Sequence, residues 1–140
     1  NNLTLTKTRG SVSNFRAKKV VEFRRIGGGI AGTKGNPNFK GSGILGSTTV
    51  PPKIVLSKYR NNTSGVFVIG LSPLKLPYLG GMLIPNLDVV VPIAGSGADI
   101  TIDASSLKNV PVPSLWVQAL YIDPVAVQGV SATSGFRIIL

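Results

Sequence analysis

At 140 residues, with no cysteine, no histidine and a net charge of +10, the chain has the length for one domain with a real hydrophobic core. It lacks the residues for disulfides, for cysteine- or histidine-held metals, and for Ser-His-Asp or Cys-His catalysis. Seventeen glycines and ten prolines spread along the whole length leave no window for a long helix, and no run approaches the roughly eighteen apolar residues of a membrane span. The composition therefore points to an all-β chain.

The charge is unevenly placed. Residues 1–60 hold twelve of the fifteen Lys and Arg against Glu22 alone, a net +11, whereas Lys75, Lys108 and Arg137 are outnumbered by Asp88, Asp99, Asp103 and Asp123 in the remainder, a net −1. A basic front half on a neutral back half suits a polyanion partner, whether anionic polysaccharide, nucleic acid or membrane surface. It equally suits a basic segment whose charges stay solvated. The opening on Asn1 rather than Met fits a processed, exported chain whose signal peptide has been removed, and equally a trimmed piece of a longer chain.

Taken in order, Leu3-Thr4-Leu5-Thr6-Lys7-Thr8 alternates apolar with polar, the pattern of a half-buried strand, and Arg9-Gly10 ends it. Val12, Phe15, Val20, Val21, Phe23 and Ile26 follow among Arg16, Lys18, Lys19, Arg24 and Arg25. Extended pieces are predicted here, with a helix over 13–25 as the alternative. Residues 1–21 read as a basic N-terminal arm and residues 22–140 as the folded domain.

A glycine-rich loop spans 27–46. Gly27, Gly29 and Gly32 formally match G-x-G-x-x-G, but Gly35-Asn36-Pro37 follows where a dinucleotide site needs a helix N-terminus to face the pyrophosphate. No cofactor is expected. After Pro51-Pro52 the chain alternates short strand candidates with turn signals: 53–59, 65–71, 82–85, 87–93, 99–103, 115–122 and 136–140. Strands at this spacing predict an antiparallel β-sandwich, immunoglobulin-like or jelly-roll-like, with an extended N-terminal arm. Leu115-Trp116-Val117-Gln118-Ala119-Leu120-Tyr121-Ile122-Asp123 is apolar on both faces, as a central strand covered on each side must be. The segment from Phe136 to Leu140 is predicted as its antiparallel neighbour.

Candidate chemistry is sparse. Asp99 and Asp103 share a strand face but lie about 13 Å apart at strand rise, too far for a glycosidase pair. With Asp88 and Asp123 they leave open a Ca²⁺ site, although turn and strand-end aspartates are commoner without metal. Lys7, Arg9, Arg16, Lys18, Lys19, Arg24 and Arg25 form a candidate phosphate- or polysaccharide-contacting set, yet only Phe15 and Phe23 are there to stack on bases. No enzyme is expected.

From about Phe23 onward the order of features resembles a β-sandwich domain found at the C-termini of secreted planctomycete and myxobacterial proteins. The matching residues are Gly28-Gly29-Ile30-Ala31-Gly32-Thr33-Lys34-Gly35-Asn36-Pro37, Gly65-Val66-Phe67-Val68-Ile69-Gly70-Leu71-Ser72, Leu79-Gly80-Gly81-Met82-Leu83, the 115–123 strand, and Thr133-Ser134-Gly135-Phe136-Arg137-Ile138. The resemblance implies export, an extracellular or cell-surface location and a non-catalytic role, and it brings no functional residues. Members often carry cysteines near the glycine loop, and this chain has none.

These readings combine into one expectation: a structural subunit that self-assembles with copies of itself into an extracellular filament. The arm residues Leu3, Leu5, Val12, Phe15, Val20 and Val21 would supply a donor strand. A secreted adhesion or glycan-binding module is the alternative, and a basic nucleic-acid-binding protein the third.

Overall fold

The structure, a computed structural model, describes residues 20–140. These residues are almost wholly β, in antiparallel sheets with no α-helix among them. The strands are β1 (Glu22–Gly27), β2 (Asn38–Ser42), β3 (Lys53–Ser57), β4 (Thr63–Gly70), β5 (Pro73–Tyr78), β6 (Gly81–Pro85), β7 (Val89–Gly95), β8 (Ile100–Asp103), β9 (Ser114–Ile122), β10 (Val130–Ala132) and β11 (Gly135–Ile139), with a 3-10 turn at Ser105–Asn109 between β8 and β9.

A six-stranded sheet in the order β1-β11-β9-β4-β7 forms the centre, and β10 pairs with the far end of β9 beside β11. The expected central strand is β9, and the segment predicted as its antiparallel neighbour forms β11 at Gly135–Ile139, with Val117 opposite Phe136 and Leu115 opposite Ile138. Because side chains alternate across a strand, β9 serves two cores. Leu115, Val117, Ala119 and Tyr121 enter one, while Leu120 enters the other.

The first core is closed by a three-stranded sheet, β2-β3-β8, which brings Phe39, Ile54 and Leu56 onto the central sheet. Phe39 is its pivot, stacked on Phe136 at 4.4 Å between centroids and on Phe67 at 6.4 Å. Burying two inward faces against each other is the sandwich arrangement that the strand spacing predicts. Asp99–Asp103 behaves as its alternation predicts, with Ile100 and Ile102 turned to this core and Thr101 and Asp103 exposed.

The opposite face of the central sheet is covered by a hairpin, β5-β6, whose inner strand β6 packs across β9, β11 and β1. Gln118, fully buried in the middle of β9, holds it there. Its Nε2 donates to Met82 O and Thr133 O at 3.0 Å each, and its Oε1 accepts the Ile84 N–H at 3.0 Å. Gly135 fits beneath Ile84 only because it lacks a Cβ, so the hairpin lies flat on β11. Thr133 bridges the gap between β10 and β11: its hydroxyl accepts the Ala119 N–H at 3.1 Å where a ladder carbonyl is missing.

Three strands fall outside the segments the sequence predicts as strand, among them the short β10 (Val130–Ala132) in the link before β11. Strand β2 lies inside the 27–46 glycine-rich stretch; Asn38-Phe39-Lys40-Gly41-Ser42 has little strand propensity, and its pairing with β3 and the burial of Phe39 impose the conformation. Strand β5 carries Pro73 and Pro77, which restrict it to an edge, and its partner lies on one side only. The described part of the 13–25 helix alternative is extended, with Glu22–Gly27 in β1.

Replacing Gln118 with Ala leaves the Ile84 N–H and the Met82 and Thr133 carbonyls without their partner. A loss of roughly 3 kcal/mol or more is expected in urea unfolding. A loss below about 1 kcal/mol would show that the hairpin does not depend on this amide.

Candidate functional site

The hairpin covers only part of its face. Between β5 and the β4–β7 half of the sheet runs an apolar groove of about 360 Å³, with Leu74, Leu76 and Tyr78 on one wall, Leu87 and Val90 on the other, and Val66, Val68, Leu83 and Leu120 along its length. The groove meets a smaller apolar hollow through Val66, Tyr78 and Leu120. Leu71, Leu74, Leu76, Tyr78 and Leu87 are exposed around it. Contiguous exposed apolar surface of this kind marks a contact site more often than scattered single residues do.

Beside the groove the central sheet ends in β7. Val89, Val90 and Val91 are 49%, 48% and 41% exposed, and β4 is the one strand paired with β7 among the described residues. Directly opposite residues of an antiparallel pair share a face, so Val90 and Pro92 stand with Val68 and Val66 on the groove side. Val89 and Val91 stand with Ile69 and Phe67 on the other. Edge strands ordinarily carry charges or prolines that deter pairing. Here Pro92 is the sole such device within β7, and Val89 to Val91 present three successive uncharged, β-branched residues. The other edge, β1, carries Glu22, Arg24 and Arg25.

Chain entry is at that second edge. Val20 forms a bridge with Ile44, and Val21 is buried in the first core with its N–H directed to Gly43 O. Of the candidate arm residues, Val20 is exposed and Val21 is part of its own domain's core; Leu3, Leu5, Val12 and Phe15 lie outside the described residues. Of the candidate polyanion contacts, Lys7, Arg9, Arg16, Lys18 and Lys19 also lie outside them. Arg24 and Arg25 are exposed on β1, Arg24 paired with Glu22 at 2.6 Å and Arg25 donating from Nε to Ser134 Oγ at 3.0 Å.

The aspartates are dispersed in the described fold, with no cluster of three acidic groups among the described residues. Asp88 accepts the Leu71 N–H through Oδ2 and so ties the chain leaving β4 to the start of β7, and Asp103 caps the 3-10 turn through the Ser105 N–H. Asp123, almost fully buried at the end of β9, clamps the glycine-rich loop. It accepts the Thr33 N–H and Thr33 hydroxyl at 2.7 Å each and the Val125 N–H at 3.0 Å, and Gly32 packs against it where any Cβ would collide. Burial raises the Asp123 pKa, but the Thr33 and Val125 hydrogen bonds and the Arg60 charge outweigh it and hold the carboxyl below its usual range. The formal G-x-G-x-x-G thus serves as a loop anchor, its third glycine making room for a carboxylate.

The sequence reading missed the groove residues. Leu74, Leu76 and Leu87 sit among prolines and turn signals, and their proximity to Val90 depends on how the hairpin folds over β9. A traceable sign was the run Val89-Val90-Val91, three apolar residues with no polar alternation ahead of a proline, which marks an edge strand without a wet face. No family model, curated protein or solved structure matches the chain, so the functional reading rests on this geometry and on the sequence.

Asp123, with its lowered native pKa, contributes stability that is complete above its unfolded pKa of about 3.9 and is lost as pH falls through the native value. Urea midpoints of the protein are therefore expected to fall more steeply from about pH 5 to about pH 2 than those of Asp123→Asn. Parallel pH profiles for the two proteins would remove Asp123 from this role.

Proposed function

We propose that the chain is a non-enzymatic, secreted structural subunit that self-assembles into an extracellular filament, residues 1–19 of one copy adding to the body of the next. The observation that carries this reading is the uncharged, exposed edge β7 beside an apolar groove, with the chain entering the body at the opposite edge, β1. A donor leaving one edge and an acceptor on the other make a head-to-tail contact, which continues into a filament unless the rotation closes a ring. Export is supported by the likeness of residues 23–140 to secreted sandwich domains.

Magnitudes limit how the contact works. Leu3, Leu5, Val12 and Phe15 are each worth about 1.5–3 kcal/mol if buried. Their sum falls within the roughly 4–15 kcal/mol cost of association, so side chains alone leave assembly marginal and strand hydrogen bonds along an open edge tip the balance.

Deletion of residues 1–19, which spares the core residue Val21, is expected to leave a folded monomer and abolish high-mass species in sizing columns and electron micrographs. Undiminished assemblies would refute the reading.

A polyanion-binding module is the second reading, favoured by exposed Lys40 and Lys53 on the outer strands β2 and β3 together with Arg24 and Arg25 on β1. It requires retention on immobilised heparin that weakens steadily with salt. Elution in the void at low salt counts against it, and a DNA column run in the same gradient tests the nucleic-acid version.

A further inference from the structure

The acceptor and its register follow from the same surface. Resting on the assembly reading above, we infer that residues 3–7 of a second copy add antiparallel to β7, with Leu5 opposite Val90 and Lys7 opposite Asp88.

Three observations lead to this pairing. First, β7 is the edge of the central sheet without charge, and Pro92, which has no N–H, confines an added strand to the Val89 to Val91 stretch, whose backbone groups point alternately to β4 and outward. An added strand of a few residues suits so short a run. Second, the two faces of that edge differ. The Val90 side opens on the apolar groove of about 360 Å³, which has room for leucine side chains, whereas Val89 and Val91 stand on the other side. The alternation Leu3-Thr4-Leu5-Thr6 matches this difference when Leu3 and Leu5 face the groove and Thr4 and Thr6 lie beside Val91 and Val89. Third, charge selects the direction. Residues 1–6 carry no charged side chain, and Lys7 is the first. In the antiparallel register with Leu5 at Val90, Lys7 falls opposite Asp88, the acid at the start of β7, and an opposite-charge cross-strand pair results. The parallel arrangement places Lys7 opposite Pro92 and gives Asp88 no partner.

Reach suits a neighbouring copy. The central sheet separates the β1 edge from β7 by about 19 Å, four strand spacings, and the nineteen residues before Val20 span up to about 60 Å when extended.

The absence of native cysteine makes a direct test possible. Single-cysteine variants of the full chain, one of each pair carrying a mass tag, are mixed and oxidised gently, and mixed dimers are resolved by mass. Leu5→Cys is expected to cross-link with Val90→Cys, and Thr4→Cys with Val91→Cys, whereas Leu5→Cys with Val91→Cys gives little product because the two side chains face opposite ways. Cross-linking of Leu5→Cys to Val91→Cys in place of Val90→Cys overturns the face assignment. Self-linking of Val90→Cys alone would mean that two β7 edges pair with each other, and a bond formed only inside the double variant Leu5→Cys/Val90→Cys would mean that the arm closes its own edge; either result overturns the inference. If no pair links while assemblies still require residues 1–19, the acceptor lies elsewhere and the inference fails with the filament reading intact. Assemblies that persist without residues 1–19 overturn that reading itself.

Discussion

The hydrogen bonds of Gln118 join three chain segments at the centre of the molecule: the β9 strand that carries it, the β6 strand of the hairpin, and the Thr133 link between β10 and β11. A buried amide fully used in this way is directional where hydrophobic contact is not. It fixes the hairpin over β9, β11 and β1, and so determines which part of the sheet remains open. The apolar groove and the bare β7 edge follow from that placement. Were the hairpin shifted by one strand toward β7, the exposed Val90 would be covered.

The two ends of the glycine-rich region depend on similar fits. Phe23 lies against Gly41, which joins β1 to the small sheet, and Asp123 receives the loop at Thr33 while Gly32 gives it room. Tyr59 stacks on Tyr121 at 4.9 Å and its hydroxyl donates to Ala98 O and accepts the Gly97 N–H, so the approach to β8 is tied to the end of β9. One strand, largely apolar on both faces, with Gln118 at its middle and Asp123 just beyond its end, thereby organises both cores and both loops.

Strands with strong local signals were legible from sequence. The 115–122 run is apolar without alternation, which means burial on both faces, and 99–103 alternates cleanly, which means one. Strand β2 was not legible because its five residues contain a single apolar side chain, Phe39, and its conformation is dictated by β3. Strand β5 was hidden by its prolines. The role of Gln118 was not legible, since its partners are backbone groups of segments 15 to 36 residues away, which no local pattern encodes. The groove was hidden for the same reason: Leu74, Leu76 and Val90 meet through tertiary placement. The arm's alternation was plain in the sequence, and what the structure adds is an edge and a face whose pattern it matches.

Charge sets the conditions under which the proposed arm contact would form. Residues 1–19 carry five basic side chains and no acid, and residues 20–140 carry a net +5, so copies repel one another at low ionic strength. The uncharged stretch before Lys7 and the uncharged edge of β7 are where that repulsion is least. Hydrogen exchange at the Val89, Val90 and Val91 amides, compared between assembled protein and the chain lacking residues 1–19, examines the proposed contact most directly. An added strand predicts slowed exchange at the outward-facing amides of this run in the assembled protein alone. Equal exchange in the two samples, with assembly intact, would contradict it.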